Sequence, residues 1–266
     1  MKISNQAQNQ RISSINDNIH KIDKKHTERL STGKKINHAK DDPAGLAISD
    51  KMQSLIAGLG KGVNNTYDMQ NAIKTADGSL SNISNGLQRV RELSIQASSS
   101  ILNDSDKAII QQEIDVTLSG INNIASQSQF NGQNLLDGSF KDKNVASNTD
   151  GSGTSVSLDS ATLKDLGLDG FSVMGNTIDI KAIDSAIETI SDARVKIGAQ
   201  INRFDHTISS NETTALNTIS AKSRIEDADM AKESMLRSTN KALSQYGIFA
   251  QKNEAQTKYN MLNILF

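Results

Sequence analysis

The chain has 266 residues and a formal net charge of −1, with six Phe, three Tyr, no Trp, one proline and no cysteine. Near-neutral charge leaves no basic footprint for nucleic acid, and the missing thiols exclude disulfides, thiolate metal sites and a cysteine nucleophile. Scarce aromatics among abundant Ser, Asn, Asp, Gln, Lys, Ile and Ala describe a polar helical bundle, and no apolar run of about 18 residues could span a membrane.

The N-terminus, Met1-Lys2-Ile3-Ser4, continues polar without the apolar region of a signal peptide, which by itself suggests a cytoplasmic protein. Residues 4–32 form a first amphipathic segment with Ile12, Ile15, Ile19, Ile22 and Leu30 near one stripe. His26 falls where that stripe wants an apolar residue, so the helix is marginal alone. Ser31-Thr32-Gly33 closes it, and Lys34 to Asp42 is a polar connector.

From Pro43 to Ser100 the pattern predicts one very long helix. Asp42 can cap its free N–H groups and Pro43 presets the first helical φ. Ile73, Ala76, Leu80, Ile83, Leu87 and Val90 recur in steps of three and four, the seam of a coiled coil. At 1.5 Å per residue such a helix is about 85 Å long, so an elongated rod is expected. Within it, Gly58-Leu59-Gly60-Lys61-Gly62 is too incomplete for a phosphate loop. It reads instead as small residues where another helix or subunit comes close.

Residues 99–106 predict a turn, with Asp104 or Ser105 as the next cap. Ile110, Ile114, Thr117, Ile121 and Ile124 then form a second seam on a shorter helix doubling back. From Ser128 to Thr177 the period is lost. Asn131-Gly132 and Asp137-Gly138 mark tight turns, Asn148 to Thr154 a polar tip, and Ser155-Val156-Ser157-Leu158 an alternating strand. Short hairpins joined by loops are expected, forming a tip distant from the chain ends.

Ile180, Ile183, Ile187, Ile190, Arg194, Ile197, Ile201, Phe204 and Ile208 give the clearest seam, which Leu216 and Ile219 extend. Arg194 belongs at its edge, stem packed and head solvated. Ser220 to Asp229 reads as a polar connector. Met235, Ala242, Tyr246 and Phe249 open a last helix that ends apolar at Met261, Leu262, Ile264, Leu265 and Phe266. The layout is nearly palindromic, so the two ends should meet. The fold class is mainly α: an elongated antiparallel helical bundle or coiled coil built from both chain ends, with a small β-hairpin region at the tip.

Chemistry is sparse. His20, His26, His38 and His206 have no metal spacing, and Asp41-Asp42 and Asp227/Asp229 sit beside helix ends as caps. No cofactor site is read, and nothing supports an enzyme.

Four blocks carry a resemblance: "ERLSTGKKINHAKDDPAGLAISDKM" (Glu28 to Met52), "LQRVRELSIQASS" (Leu87 to Ser99), "QSQFNGQNLLDG" (Gln127 to Gly138) and "SRIEDADMAKE" (Ser223 to Glu233). In this order they resemble bacterial flagellin over nearly the whole chain. The extreme C-terminus and the more polar first helix depart from the family's usual wording. The resemblance implies residues 1–42 plus 220–266 as an inner terminal-helix domain, and 43–219 as an outer helical bundle with a hairpin region at about 128–179. It implies a structural subunit that polymerises into the flagellar filament, exported through the flagellar channel without a cleaved signal and located outside the cell. The hook–filament junction protein shares both terminal regions and is the alternative, but the unbroken second and third blocks favour flagellin. Implied partners are other copies of the chain, the export chaperone, the filament cap, hook-associated proteins and the vertebrate Toll-like receptor that senses flagellin. For that receptor the resemblance carries over Arg89, Leu93 and Glu113, on a face shared with Gln88 and Gln96. The same face is expected to contact neighbouring subunits.

Overall fold

The computed structural model describes residues 2–175 and 178–265, and the side chains of 10–175, 178–257 and 259–260. The apolar ending at Met261, Leu262, Ile264, Leu265 and Phe266, and the end of the irregular stretch at Asn176 and Thr177, lie outside the described side chains. Among the described residues, five helices and two small hairpins follow one another: α1 (Lys2–Thr32), α2 (Pro43–Ala97), α3 (Asp104–Gln127), β1 (Gln129–Phe130), β2 (Gln133–Asn134), β3 (Lys143–Ala146), β4 (Gly153–Val156), α4 (Ile180–Glu226) and α5 (Met230–Leu265). The mainly α class is as expected.

Helix boundaries follow local chemistry. The Asp42 carboxylate accepts from the Gly45 N–H at 2.9 Å and Pro43 opens the helix, so α2 starts where the sequence places it. For α3 the cap is Asn103 rather than Asp104 or Ser105. Its side chain accepts from the Asp106 N–H while the Asp106 carboxylate accepts from the Asn103 N–H, a reciprocal capping box. Asp229 caps α5 through the Lys232 N–H. The expected connector over Ser220 to Asp229 is corrected: α4 continues to Glu226, and only Asp227 to Asp229 link it to α5. That run lacks Gly and Pro, and Lys222 pairs with Glu226 one turn on, so nothing breaks the helix.

The chain divides into two compact units, residues 55–216 and residues 1–54 with 217–266. The divide falls inside α2 and α4 rather than at the connectors.

In the central unit, Ile73, Ala76, Leu80, Ile83, Leu87 and Val90 of α2 are all buried, as are Ile110, Ile114 and Ile121 of α3 and Ile183, Ile190, Ile197, Phe204 and Ile208 of α4. Arg194 is half-buried at the seam's edge and bonds Asp77 at 2.9 Å. Leu216 and Ile219, expected to extend the α4 seam, are exposed instead.

The irregular stretch is not a separate tip. Leu135, Leu136, Phe140, Val145, Val156, Leu158, Ala161, Leu168 and Val173 are buried in the same core as the helices. Scattered apolar residues without a period supply this third wall of the bundle. The β1–β2 hairpin turns at Asn131-Gly132, both with positive φ (48° and 75°), as a two-residue hairpin loop requires. In the antiparallel β3–β4 hairpin Val145 faces Thr154 and Lys143 faces Val156. Thr154, Val156 and Leu158 point inward while Ser155 and Ser157 point out, the expected alternation.

This hairpin explains two glycines of α2, Gly58 and Gly62. A Cβ at Gly62 would collide with the Ser147 carbonyl, and one at Gly58 would come within 2.9 Å of the Thr149 side chain. Asn65 and Asn211 donate to the Ala146 and Ser147 carbonyls at 3.0 and 2.9 Å. The close neighbour is a hairpin of the same chain, not another helix or subunit.

Candidate interaction surfaces

On the central unit, Gln88, Arg89, Glu92 and Gln96 of α2 are exposed, as is Glu113 of α3. The Arg89 guanidinium donates from Nε and Nη2 to Glu113 Oε1 at 3.1 and 2.6 Å, and from Nη1 to Glu92 at 3.4 Å. One oxygen of Glu113 therefore receives two guanidinium donors, while the other is not engaged by Arg89. Leu93 does not belong to this face: it is 2% exposed and lies in the core. The expectation that it offers a surface anchor is corrected. Because α2 packs against more than one neighbour, its buried stripe is wider than a single seam and takes in Leu93 beside Val90 and Ser94. The exposed apolar groups here are Ile95 on α2 and Ile109 and Val116 on α3. Ile95 follows Glu92 by three residues, and Ile109 and Val116 flank Glu113 by four and three, so each shares a helical face with the charged pair. That spacing was available in the sequence. Thr117 is half-buried and its hydroxyl bonds the Glu113 carbonyl.

In the terminal unit, Glu226 is a junction. Its carboxylate takes Lys34, Ser49 and Lys222, and its carbonyl accepts from the Lys35 N–H at 2.7 Å. Burial pushes its pKa up, but these donors outweigh burial and hold it at about 2. The Ala228 N–H bonds the Gly33 carbonyl at 2.8 Å, and Lys34 bridges to Asp227. Asp41, held at about 2 first by Lys25 and then by the Asn37 and His38 N–H groups, folds the connector before α2.

Helices α1 and α5 pack together. His26 and Arg29 both bond Glu233, and the Arg29 contact is 3.0 Å. Burial pushes the Glu233 pKa up, but those two donors outweigh it and leave it below the ordinary value. His26, an outlier in the apolar stripe, is thus buried against a carboxylate 207 residues along the chain, so no local pattern pairs the two.

The packed face of α5 is polar. Glu233, Arg237, Asn240, Ser244, Gly247, Gln251 and Glu254 are the less exposed positions from residue 231 to 257, in unbroken steps of four and three. Met235, Ala242, Tyr246 and Phe249, the apolar residues that open this helix, all face outward, with Met235 64%, Tyr246 73% and Phe249 61% exposed. At about 100° per residue, Met235 lies about 200° from Glu233 and Ala242 about 180°, so this stripe is opposite the packed one. On α1, Ile12, Asn16, Ile19, Asp23, His26 and Leu30 are the inner series, while Ile15 and Ile22 stay exposed.

The segments Glu28 to Met52 and Ser223 to Glu233, far apart in sequence, thus meet around Glu226 and Glu233. A model of the bacterial flagellin N-terminal helical region matches residues 3–141, and one of the flagellin C-terminal helical region matches 180–265. The chain belongs to the bacterial flagellins. A Bacillus subtilis flagellin is 34% identical over 91% of this chain and 92% of its own length. A Treponema pallidum flagellin is 35% identical over 87% of this chain and 88% of its own. The solved structure of a protein assigned to the flagellar hook-associated proteins of Vibrio parahaemolyticus shares the fold, with a TM-score of 0.57 at 14% identity over 70% of this chain and all of that one. In this flagellin, no group of three or more His, Asp or Glu is placed to hold a metal, and no helix is long and apolar enough to cross a membrane, among the described residues.

Proposed function

We propose that this flagellin polymerises through the outward apolar faces of its terminal helices, with copies of the same chain as the partner. As a flagellin it is a structural subunit of the flagellar filament. The observation that carries the reading is the reversal on α5: polar residues face α1, whereas Met235, Tyr246 and Phe249 face out. Fully covering such side chains contributes roughly 1.5–3 kcal/mol each, a gain that a lone subunit forgoes. Among the described residues, Asn16 Oδ1 is buried without a hydrogen-bond partner, which costs about 1–3 kcal/mol, and Asp23 Oδ1 and Arg237 Nε face each other at 3.8 Å without closing to a hydrogen bond. The pair is therefore marginal alone, and neighbouring copies complete it.

Family membership also supports the finer expectations. These are export through the flagellar channel, an extracellular location, and engagement of the export chaperone, the filament cap and hook-associated proteins. Recognition by the Toll-like receptor for flagellin rests on Arg89 and Glu113, with Gln88 and Gln96 beside them, and without a contribution from Leu93.

Seeded polymerisation followed by negative-stain microscopy tests the assembly reading. Wild type should grow filaments, and Phe249→Asp or Tyr246→Asp should stop growth while the thermal transition of the central unit is unchanged. Growth of both variants at the wild-type rate would overturn it.

A further inference from the structure

We propose that the polar seam between α1 and α5 is a register lock, which fixes one antiparallel alignment of the terminal helices and thereby the pattern of apolar groups offered to the next copy. The proposal rests on the assembly reading above and goes beyond it.

The contacts between the two helices run in strict opposite order. His26 meets Glu233; Asp23 lies 3.8 Å from Arg237; Asn16 lies against Gly247, where a Cβ would come within 2.6 Å of Asn16 Oδ1. Descending α1 by three and then seven residues ascends α5 by four and then ten. One alignment satisfies all three contacts.

A seam of Ile and Leu tolerates sliding by one heptad, because one aliphatic side chain replaces another. A polar or charged group inside a coiled coil does not, and it selects register at a cost in stability. Both parts of that description hold here. Sliding α5 by one heptad would set Asp23 against Ser244 instead of Arg237 and His26 against Asn240 instead of Glu233. Asn16 would meet Glu254 in place of the one residue without a side chain. The cost is visible as well: Asn16 Oδ1, Asp23 Oδ1, Arg29 Nε and Arg237 Nε are buried without a hydrogen bond among the described residues. The seam is poor as adhesive and selective as a ruler.

The outward stripes make alignment matter. Ile15 and Ile22 on α1 are 57% and 47% exposed, and Met235, Tyr246 and Phe249 on α5 more so. The two sets belong to different helices, so their mutual stagger is set only by how α1 and α5 align. A surface that repeats from copy to copy requires one stagger.

The test uses the full chain. Asp23→Arg and Arg237→Asp each place like charges together in the seam, and each alone should slow seeded filament growth at least about tenfold; the double exchange should restore growth to within about threefold of wild type. The cysteine-free background allows a direct readout of alignment. Asn16→Cys with Gly247→Cys should cross-link within one chain on oxidation, whereas Asn16→Cys with Glu254→Cys, matched to the heptad-shifted alignment, should not. Single charge variants that grow like wild type, or equal cross-linking of the two cysteine pairs, would overturn the lock. Those results leave the outward-face reading intact, because it is judged separately by Phe249→Asp.

Discussion

Glu226 ties three segments of the terminal unit together, because Lys34 follows α1, Ser49 lies on α2 and Lys222 on α4. Its folded-state pKa of about 2 lies below the ordinary 4.5. A depressed carboxylate contributes stability that is fully present above the unfolded value and is lost as pH falls through the folded one. The terminal unit should therefore weaken between about pH 4.5 and pH 2, and Glu226→Gln should flatten that limb of an acid titration followed by circular dichroism. An unchanged acid limb in the variant would contradict the assignment. A second contrast separates core from surface. Leu93→Ala opens a hole in the central core and should cost about 2–5 kcal/mol. Arg89→Ala removes an exposed ion pair, whose worth is small in water, and should leave the denaturation midpoint almost unmoved. Receptor binding that falls for Arg89→Ala without that loss of stability would support its role in recognition. Binding retained within about twofold, under about 0.5 kcal/mol, would remove it.

At the scale of elements, legibility followed the apolar period. The seams of α2, α3 and α4 could be read because isoleucine and leucine recur every three or four residues and one wall of the bundle covers them. The α5 stripe could be read too, but its direction could not. Periodicity reports that a helix has an apolar face, not whether that face meets its own chain or another. The true inner series from Glu233 to Glu254 is polar, so no hydropathy pattern marks it. The wall formed by Leu135 to Val173 escaped for a different reason: its residues are held by turns and short hairpins, which have no long period. The glycines of α2 were legible only as close approach, without the partner. They now give a sharp comparison. Gly62→Ala forces a methyl group into the Ser147 carbonyl and should destabilise the central unit by about 1–3 kcal/mol. Gly60, exposed and with nothing within 4 Å of an added Cβ, should gain roughly 0.5–1 kcal/mol on replacement by Ala in mid-helix. Urea denaturation of the two variants should move in opposite directions, and movement in the same direction would refute the docking of the hairpin on α2.

For the whole molecule, the division of labour follows from what each unit buries. The large apolar cluster runs from Ala72 to Phe204, entirely within residues 55–216. The terminal unit is held instead by carboxylates and their donors, and by a helix pair in which Ile12, Ile19 and Leu30 of α1 face inward while Met235, Tyr246 and Phe249 of α5 face out. A fragment spanning 55–216 should accordingly fold alone, melt cooperatively and fail to polymerise. Ile197→Asp within that fragment places an unpaired charge at a position that is 4% exposed, a penalty of several kcal/mol against a stability of about 5–15, and should abolish the cooperative transition. Replacing Asn148 or Ser152, exposed in the β3–β4 turn, should leave it in place. Limited proteolysis of the intact flagellin offers an independent view: cleavage should begin in α1 and α5 and stop at a product close to the central unit. If the fragment does not fold, or if it still extends filament seeds, stability and assembly are not separated in this way. Equal resistance of α1, α5 and the central helices in the unassembled chain would lead to the same conclusion, because it would mean that the terminal pair needs no neighbour to hold it.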